Sequence, residues 1–252
     1  MEPSSDRREF LNRNRRYYDS LWSDATLIEP QRFNTWPLVQ SLLSPVGRRL
    51  EVAPGLRPRL PLAGTQFVDI SAAAVAKLHA RGAQVVLAEA TALPFAHSMF
   101  DLVCALDVVE HVDDDAEMVS ELARVSRVGG SLLISAPLNP ARWTQFDEIV
   151  GHRRRYEPTE LLEMLANHHF QVECTAVFGM QPRSTRLVDF AMGWLLHHRE
   201  QAMWWYNKVF MQLGLRFQKK LKFSEGLASD ADEVLLLCRH SRHPRVQLAD
   251  VQ

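Results

Sequence analysis

Three ionisable residues crowd the end of one apolar run in this chain. Within Phe100 to Val112, FDLVCALDVVEHV, no polar residue interrupts Leu102 to Leu106, and Asp107, Glu110 and His111 follow at once. Such a group can offset a cationic ligand and, through an imidazole that titrates near neutral pH, remove a proton from a nucleophile. The same three residues are ligand types for a divalent ion. Three groups this close in sequence more often serve none, and no metal site is assigned. Another acidic residue, Asp69, lies in the apolar run Gln66 to Ile70, placed to accept both hydroxyls of a ribose.

An apolar run without alternation suits a parallel strand covered by helices on both faces. Strands are expected at Arg49–Ala53, Gln66–Ile70, Gln84–Ala88, Leu102–Leu106, Ser131–Ala136, Gln171–Phe178 and Glu233–Arg239. Ser71 caps a helix over Ala72–Ala80 that Gly82 closes, and a second helix runs from about Asp115 to Val128, ending at Gly129 and Gly130. Pro158 opens a third. Pro54, Pro58 and Pro61 make the first crossover an open loop, and Leu138 to Val150 reads as another loop. The alternation of strand and helix predicts an α/β fold: a Rossmann-like, doubly wound, seven-stranded, mostly parallel sheet with helices on both faces. Ligands of such sheets bind at the carboxyl ends of the strands.

The order LEVAPG, then Asp69, then Glu89 ahead of LPF, then DVVEHV resembles the class I S-adenosylmethionine-dependent methyltransferases. GHRRRY, Gly151 to Tyr156, is similar to the GHxRRY segment of a type 11-like subgroup, which includes enzymes of glycans, lipid-linked sugars and other small metabolites. The resemblance implies S-adenosyl-L-methionine as cofactor. It implies Glu51 at the methionine end, Ala53 and Gly55 in the glycine motif, and Asp69 and Ile70 at the ribose. By the same resemblance Glu89 and Ala90 meet the adenine, and Asp107 and Val108 frame the methionine portion and the transferred methyl. The glycine motif departs from the family pattern, with Ala53 at its first glycine and Arg57 at its third. His111 is the candidate for proton removal. Tyr17 and Tyr18, in a YYD sequence of an N-terminal helix of the kind that closes over the cofactor, are substrate-binding candidates together with His152, Arg154 and Tyr156. The arginines of that segment are equally suited to pair with Glu157 and Glu160.

A formal charge of -1 gives no global attraction to nucleic acid, so none is expected as partner. Three cysteines, each in an apolar run without metal-type spacing, read as reduced thiols of a cytoplasmic protein. The densely charged start carries no signal peptide, and no apolar run is long enough to span a bilayer. The expected organisation is an N-terminal helical cap (1–46), a cofactor-binding core (47–178 and 232–240), a helical insertion (179–231) and a polar tail (241–252). In the insertion, Leu187–Leu196 is apolar, and Tyr206, Phe210, Leu213, Phe217 and Leu221 form one helical stripe beside Arg216, Lys219, Lys220 and Lys222. That pattern leaves open a lid, a homodimer interface or a peripheral membrane contact through 187–222.

The reading that follows is methyl transfer to oxygen or nitrogen of a small or lipid- or glycan-linked metabolite. The alternative, motivated by Ala53 and Arg57, is a domain whose cofactor site has decayed and which binds a partner without catalysis. A nicotinamide oxidoreductase comes third, because the first crossover lacks GxGxxG.

Overall fold

The computed structural model describes residues 5–179, 204–205, 209, 211–227 and 231–242. Its centre is one sheet of eight strands in the order β3-β2-β1-β4-β5-β8-β6-β7. These are β1 (Arg49–Val52), β2 (Thr65–Asp69), β3 (Gln84–Leu87), β4 (Phe100–Ala105), β5 (Ser126–Pro137), β6 (Phe170–Val177), β7 (Phe223–Ser224) and β8 (Glu233–His240). The first five in that spatial order pair in parallel, and β8 joins β5 and β6 antiparallel. The extra strand over the expected seven is the two-residue β7, which pairs with β6 at Thr175 and Ala176.

Two apolar layers explain why β4 carries no polar alternation. Val103 and Ala105 point into a layer with Leu50, Leu132, Ile134 and Leu236, covered by α4 (Asp115–Val125) and α6 (Pro158–Asn167). Leu102, Cys104 and Leu106 point the other way, to Leu133, Leu235 and Val39 of α2 (Trp36–Leu42). With both faces buried, every position from Leu102 to Leu106 must be apolar.

Several elements differ from expectation for identifiable reasons. The first crossover is a loop, as its prolines predict, but the crossover from β3 to β4 is a loop as well. Only α3 (Ala72–Ala80) and α4 connect parallel strands as helices. The helix expected to reach Val128 stops at Val125, because Ser98 and Met99 donate their amides to the carbonyls of Arg124 and Val125, and Ser126 already pairs with Phe100. Gly129, at φ +80°, therefore lies inside β5. The expected loop from Leu138 contains a short helix, α5 (Gln145–Val150). Leu187–Leu196, Tyr206 and Phe210 lie outside the described residues. Beyond them, α7 (Met211–Arg216) buries Met211 and Leu215 against Ile28 and Phe33, while Leu213 and Phe217 of the expected stripe are exposed. Among the described residues, no helix is long and apolar enough to cross a membrane.

The N-terminal helix α1 (Ser5–Ser23) is tied to the carboxyl-end loops of the sheet. Asn14 donates to the His111 carbonyl, and Asp19 accepts from the Ser71 hydroxyl and the Ala73 amide at the start of α3. Lys77 donates to the carbonyls of Ser23 and Ala25. These bonds hold α1 as a roof over the strand ends.

Candidate functional site

Beneath that roof, four neighbouring strands end in acid. Glu51 lies in β1, Asp69 closes β2, Glu89 follows β3 and Asp107 follows β4. Glu51, 2% exposed, accepts 2.8 Å hydrogen bonds from the amides of Arg59 and Leu60. Asp69 accepts from the amides of Gly55 and Ser71, each at 2.8 Å. Burial pushes Glu51 up to about 7 and Asp69 up to about 6, and for Asp69 the nearby Asp19 adds to the rise. Glu89 faces Arg15 of the roof at 3.9 Å. Ala53 and Asp107 hold left-handed backbone, at φ +54° and +56°. A side chain there costs roughly 1–2 kcal/mol, so Ala53 keeps the conformation of the glycine it replaces and carries the strain.

Gly55 is required for another reason. Its φ is +54°, and a Cβ would lie 2.1 Å from the Trp22 ring of the roof. Arg57, at the third glycine position, lies with its guanidinium 5.2 Å from the centre of that ring. Gly55→Ala is expected to cost about 3 kcal/mol, combining left-handed strain with overpacking against Trp22. A urea titration measures it, and a loss under about 1 kcal/mol would show that the indole moves freely.

Sequence reasoning did not single out two residues near Asp107. Arg59, 7% exposed, lies 3.7 Å from the Asp107 carboxylate and packs on the rings of Phe33 and Phe178. In the sequence Glu233 is only the first residue of an expected strand. Desolvation, with Asp107 beside it, raises its pKa well above the ordinary carboxylate range. Ser135 donates to Asp107 Oδ1 at 2.7 Å, while Arg59 faces Oδ2.

The GHRRRY segment sits against the same end of the sheet, with each arginine on an aspartate. Arg153 pairs with Asp113, Arg154 with Asp115 and Arg155 with Asp147, so Glu157 and Glu160 are not their partners. Tyr156 is buried and donates to Asp115. Both Arg154 and Tyr156 thus brace the start of α4. Tyr18 donates to His111 Nε2 at 3.0 Å, and the Tyr17 ring meets it edge-on. His152 packs on His111, ring centres 4.7 Å apart, and holds Asp147 at 2.7 Å. Burial, then the neighbouring His152, lowers His111 to about 3. A ring that weakly basic does not suit the proton removal expected of it.

Residues 58–134 match the family described as Methyltransferase domain. A protein of Mycolicibacterium smegmatis named as a probable S-adenosylmethionine-dependent methyltransferase is 35% identical over 114 residues, 43% of this chain and 44% of that protein. One of Mycobacterium tuberculosis with the same description is 33% identical over 109 residues, 41% of this chain and 39% of its own length. Over the matched residues this chain is similar to a methyltransferase domain, and both curated relatives are named as S-adenosylmethionine-dependent methyltransferases. Each match with these curated relatives spans less than half of their length. A methyltransferase from Thermotoga maritima shares the fold of the domain with a TM-score of 0.57 at 18% identity, over 92% of this chain and 97% of that one. The acidic strand ends fit the family's cofactor, since a sulfonium and a ribose both call for negative or accepting groups.

Proposed function

We propose that this chain transfers a methyl group from S-adenosylmethionine to oxygen or nitrogen of a small or lipid- or glycan-linked metabolite. The observation that carries the proposal is the row of acids at the carboxyl ends of β1 to β4 under α1, within the methyltransferase domain. The cofactor supplies a methyl on a sulfonium, open to in-line displacement. Asp69, already fixed by two amides, keeps free lone pairs to accept the ribose hydroxyls, with Ile70 beside it. Glu89 and Ala90 take the adenine end. The backbone at Ala53 and Gly55 borders the methionine portion, and Glu51 fixes the Arg59–Leu60 turn of the same loop. Asp107, half exposed and backed by Arg59, Ser135 and Glu233, has the position and charge to orient the acceptor and take its proton. Tyr17 and Tyr18 on α1 exclude water from above, which strengthens the charge interactions inside.

Calorimetry with S-adenosylhomocysteine is the direct test. Micromolar or tighter binding supports the proposal, and no heat and no thermal shift at millimolar ligand would overturn it. The pH dependence has two opposite signs. With Asp69 titrating near 6, affinity is expected to fall about tenfold between pH 7.5 and 5, because the neutral acid is a poor acceptor. Fold stability does not follow. Both Asp69 and Glu51 have raised pKa values in the folded state, so their contribution is fully present below about 4 and is lost as pH rises through 6 and 7. Isothermal titration at both pH values, with urea midpoints beside it, separates the two. Affinity unchanged at pH 5 would exclude Asp69 as the ribose acceptor.

A further inference from the structure

Three side chains beside the proposed transfer site have no part in the steps above. Glu110, His111 and His152 each bring one ligand atom to within 4.8 Å of the other two. Glu110 Oε1 lies 3.9 Å from His111 Nε2 and 3.8 Å from His152 Nε2. The grouping is tertiary. Glu110 and His111 sit in the turn after β4, and His152 comes from the segment after α5, which the Arg153 amide ties to the Glu110 carbonyl at 2.7 Å.

Both rings are held in the same orientation. Asp147 lies 2.7 Å from His152 Nδ1 and accepts its proton, which leaves the Nε2 lone pair on the side of Glu110. The Gly151 carbonyl, 3.3 Å from His111 Nδ1, does the same for the second ring. An imidazole whose far nitrogen donates to a carboxylate or carbonyl is the arrangement that fixes metal-binding histidines. Glu110 is 3% exposed, and its Oε2 is buried without a hydrogen-bond partner. A buried carboxyl oxygen lacking a donor is costly, and with Oε1 of the same group facing two imidazole nitrogens, a cation is the partner that all three would accept.

We propose that Glu110, His111 and His152 bind one divalent transition-metal ion, with zinc the best chemical match. Two imidazoles and one carboxylate suit zinc and its neighbours and not magnesium or calcium, which take oxygen ligands. Atoms spaced as these are share a centre no more than about 2.5 Å from each, against 2.0–2.2 Å for zinc to nitrogen or oxygen. Closing that gap takes a few tenths of an ångström of side-chain movement. Asp107 stays outside the set, since its carboxylate is engaged with Ser135 and Arg59. The Tyr18 hydroxyl, 3.0 Å from His111 Nε2, gives up that acceptor when the ion binds and turns its proton to the Val150 carbonyl, 3.4 Å away. A bound ion joins the exit of β4, the segment after α5 and the roof helix at one point.

The test uses the full chain stripped with EDTA and titrated with zinc chloride alone. One zinc per chain after gel filtration, a raised Tm, and visible absorption bands when cobalt(II) replaces zinc are the expected results. His152→Gln and Glu110→Gln should each weaken zinc binding at least 100-fold, while His79→Gln on the exposed face of α3 leaves it unchanged. A wild-type chain that takes up no zinc overturns the proposal, and so does uptake equal in wild type and both ligand variants. Since the wild-type titration decides the matter alone, a variant that fails to fold does not rescue it. Metal uptake is read without cofactor or turnover, so its failure leaves the methyl-transfer proposal standing, and the converse holds.

Discussion

Asp69→Asn is expected to weaken S-adenosylhomocysteine binding by at least about 100-fold. The carboxylate receives the Gly55 amide on one oxygen and the Ser71 amide on the other. Asparagine has a single acceptor oxygen, so its amide group must point two hydrogens at one of those N–H donors. The loop bearing Ala53 and Gly55 would lose its anchor, and a ribose hydroxyl would lose a charged acceptor. Hydrogen bonds to charged groups contribute about 1.5–3 kcal/mol each. Losing one ribose contact and part of the loop's preorganisation therefore amounts to about 3 kcal/mol, or two orders of magnitude in affinity. Isothermal titration measures the effect, and urea unfolding of the same variant reports how far the loop anchor supports the fold. An asparagine variant that binds within threefold of wild type would remove Asp69 from the cofactor site.

What was legible in the sequence follows from how local each cause is. The strand β4 could be read because burial on both faces acts on every residue of Leu102 to Leu106, leaving a pattern visible in one short window. The capping of α3 by Ser71 was equally local, since the hydroxyl accepts from the Ala74 amide. Asp69 and Glu51 were found because the ends of strands are found with the strands. The end of α4 was misplaced because its cause is non-local: residues before β4 take the last carbonyls of the helix, and no feature between Val125 and Gly129 announces it. Arg59 and Glu233 were missed for the same reason. Each looks like an ordinary surface charge until the sheet sets β1, β4, β5 and β8 in a row, when both converge on Asp107. Asp147 is the instructive intermediate case. Its partners His152 and Arg155 are near in sequence, yet a loop was expected there, and nothing in the linear order of charges favoured Asp147 over Glu148.

That residue carries the largest stability effect expected in the chain. Asp147 is fully buried and accepts five hydrogen bonds: two from Thr144, one from His152 and two from Arg155. Burial alone would raise its pKa, but the His152, Arg155 and Thr144 bonds outweigh burial and hold it well below the usual carboxylate range. The Arg155 side chain is itself 2% exposed. Asp147→Ala leaves that guanidinium buried without its counter-charge, a loss of about 3–5 kcal/mol, which is a third or more of the stability of a typical domain. The neighbouring pair of Arg153 with Asp113 provides the contrast. Arg153 is 38% exposed, and an ion pair in that setting contributes about 0–1 kcal/mol, so Arg153→Ala should shift the urea midpoint only slightly. A double-mutant cycle completes the argument. If the penalty is an orphaned charge, Asp147→Leu combined with Arg155→Met should be more stable than the sum of the two single changes predicts, by at least about 1.5 kcal/mol. Strict additivity in that cycle would mean that Thr144 and His152, and not Arg155, account for the cost of losing Asp147.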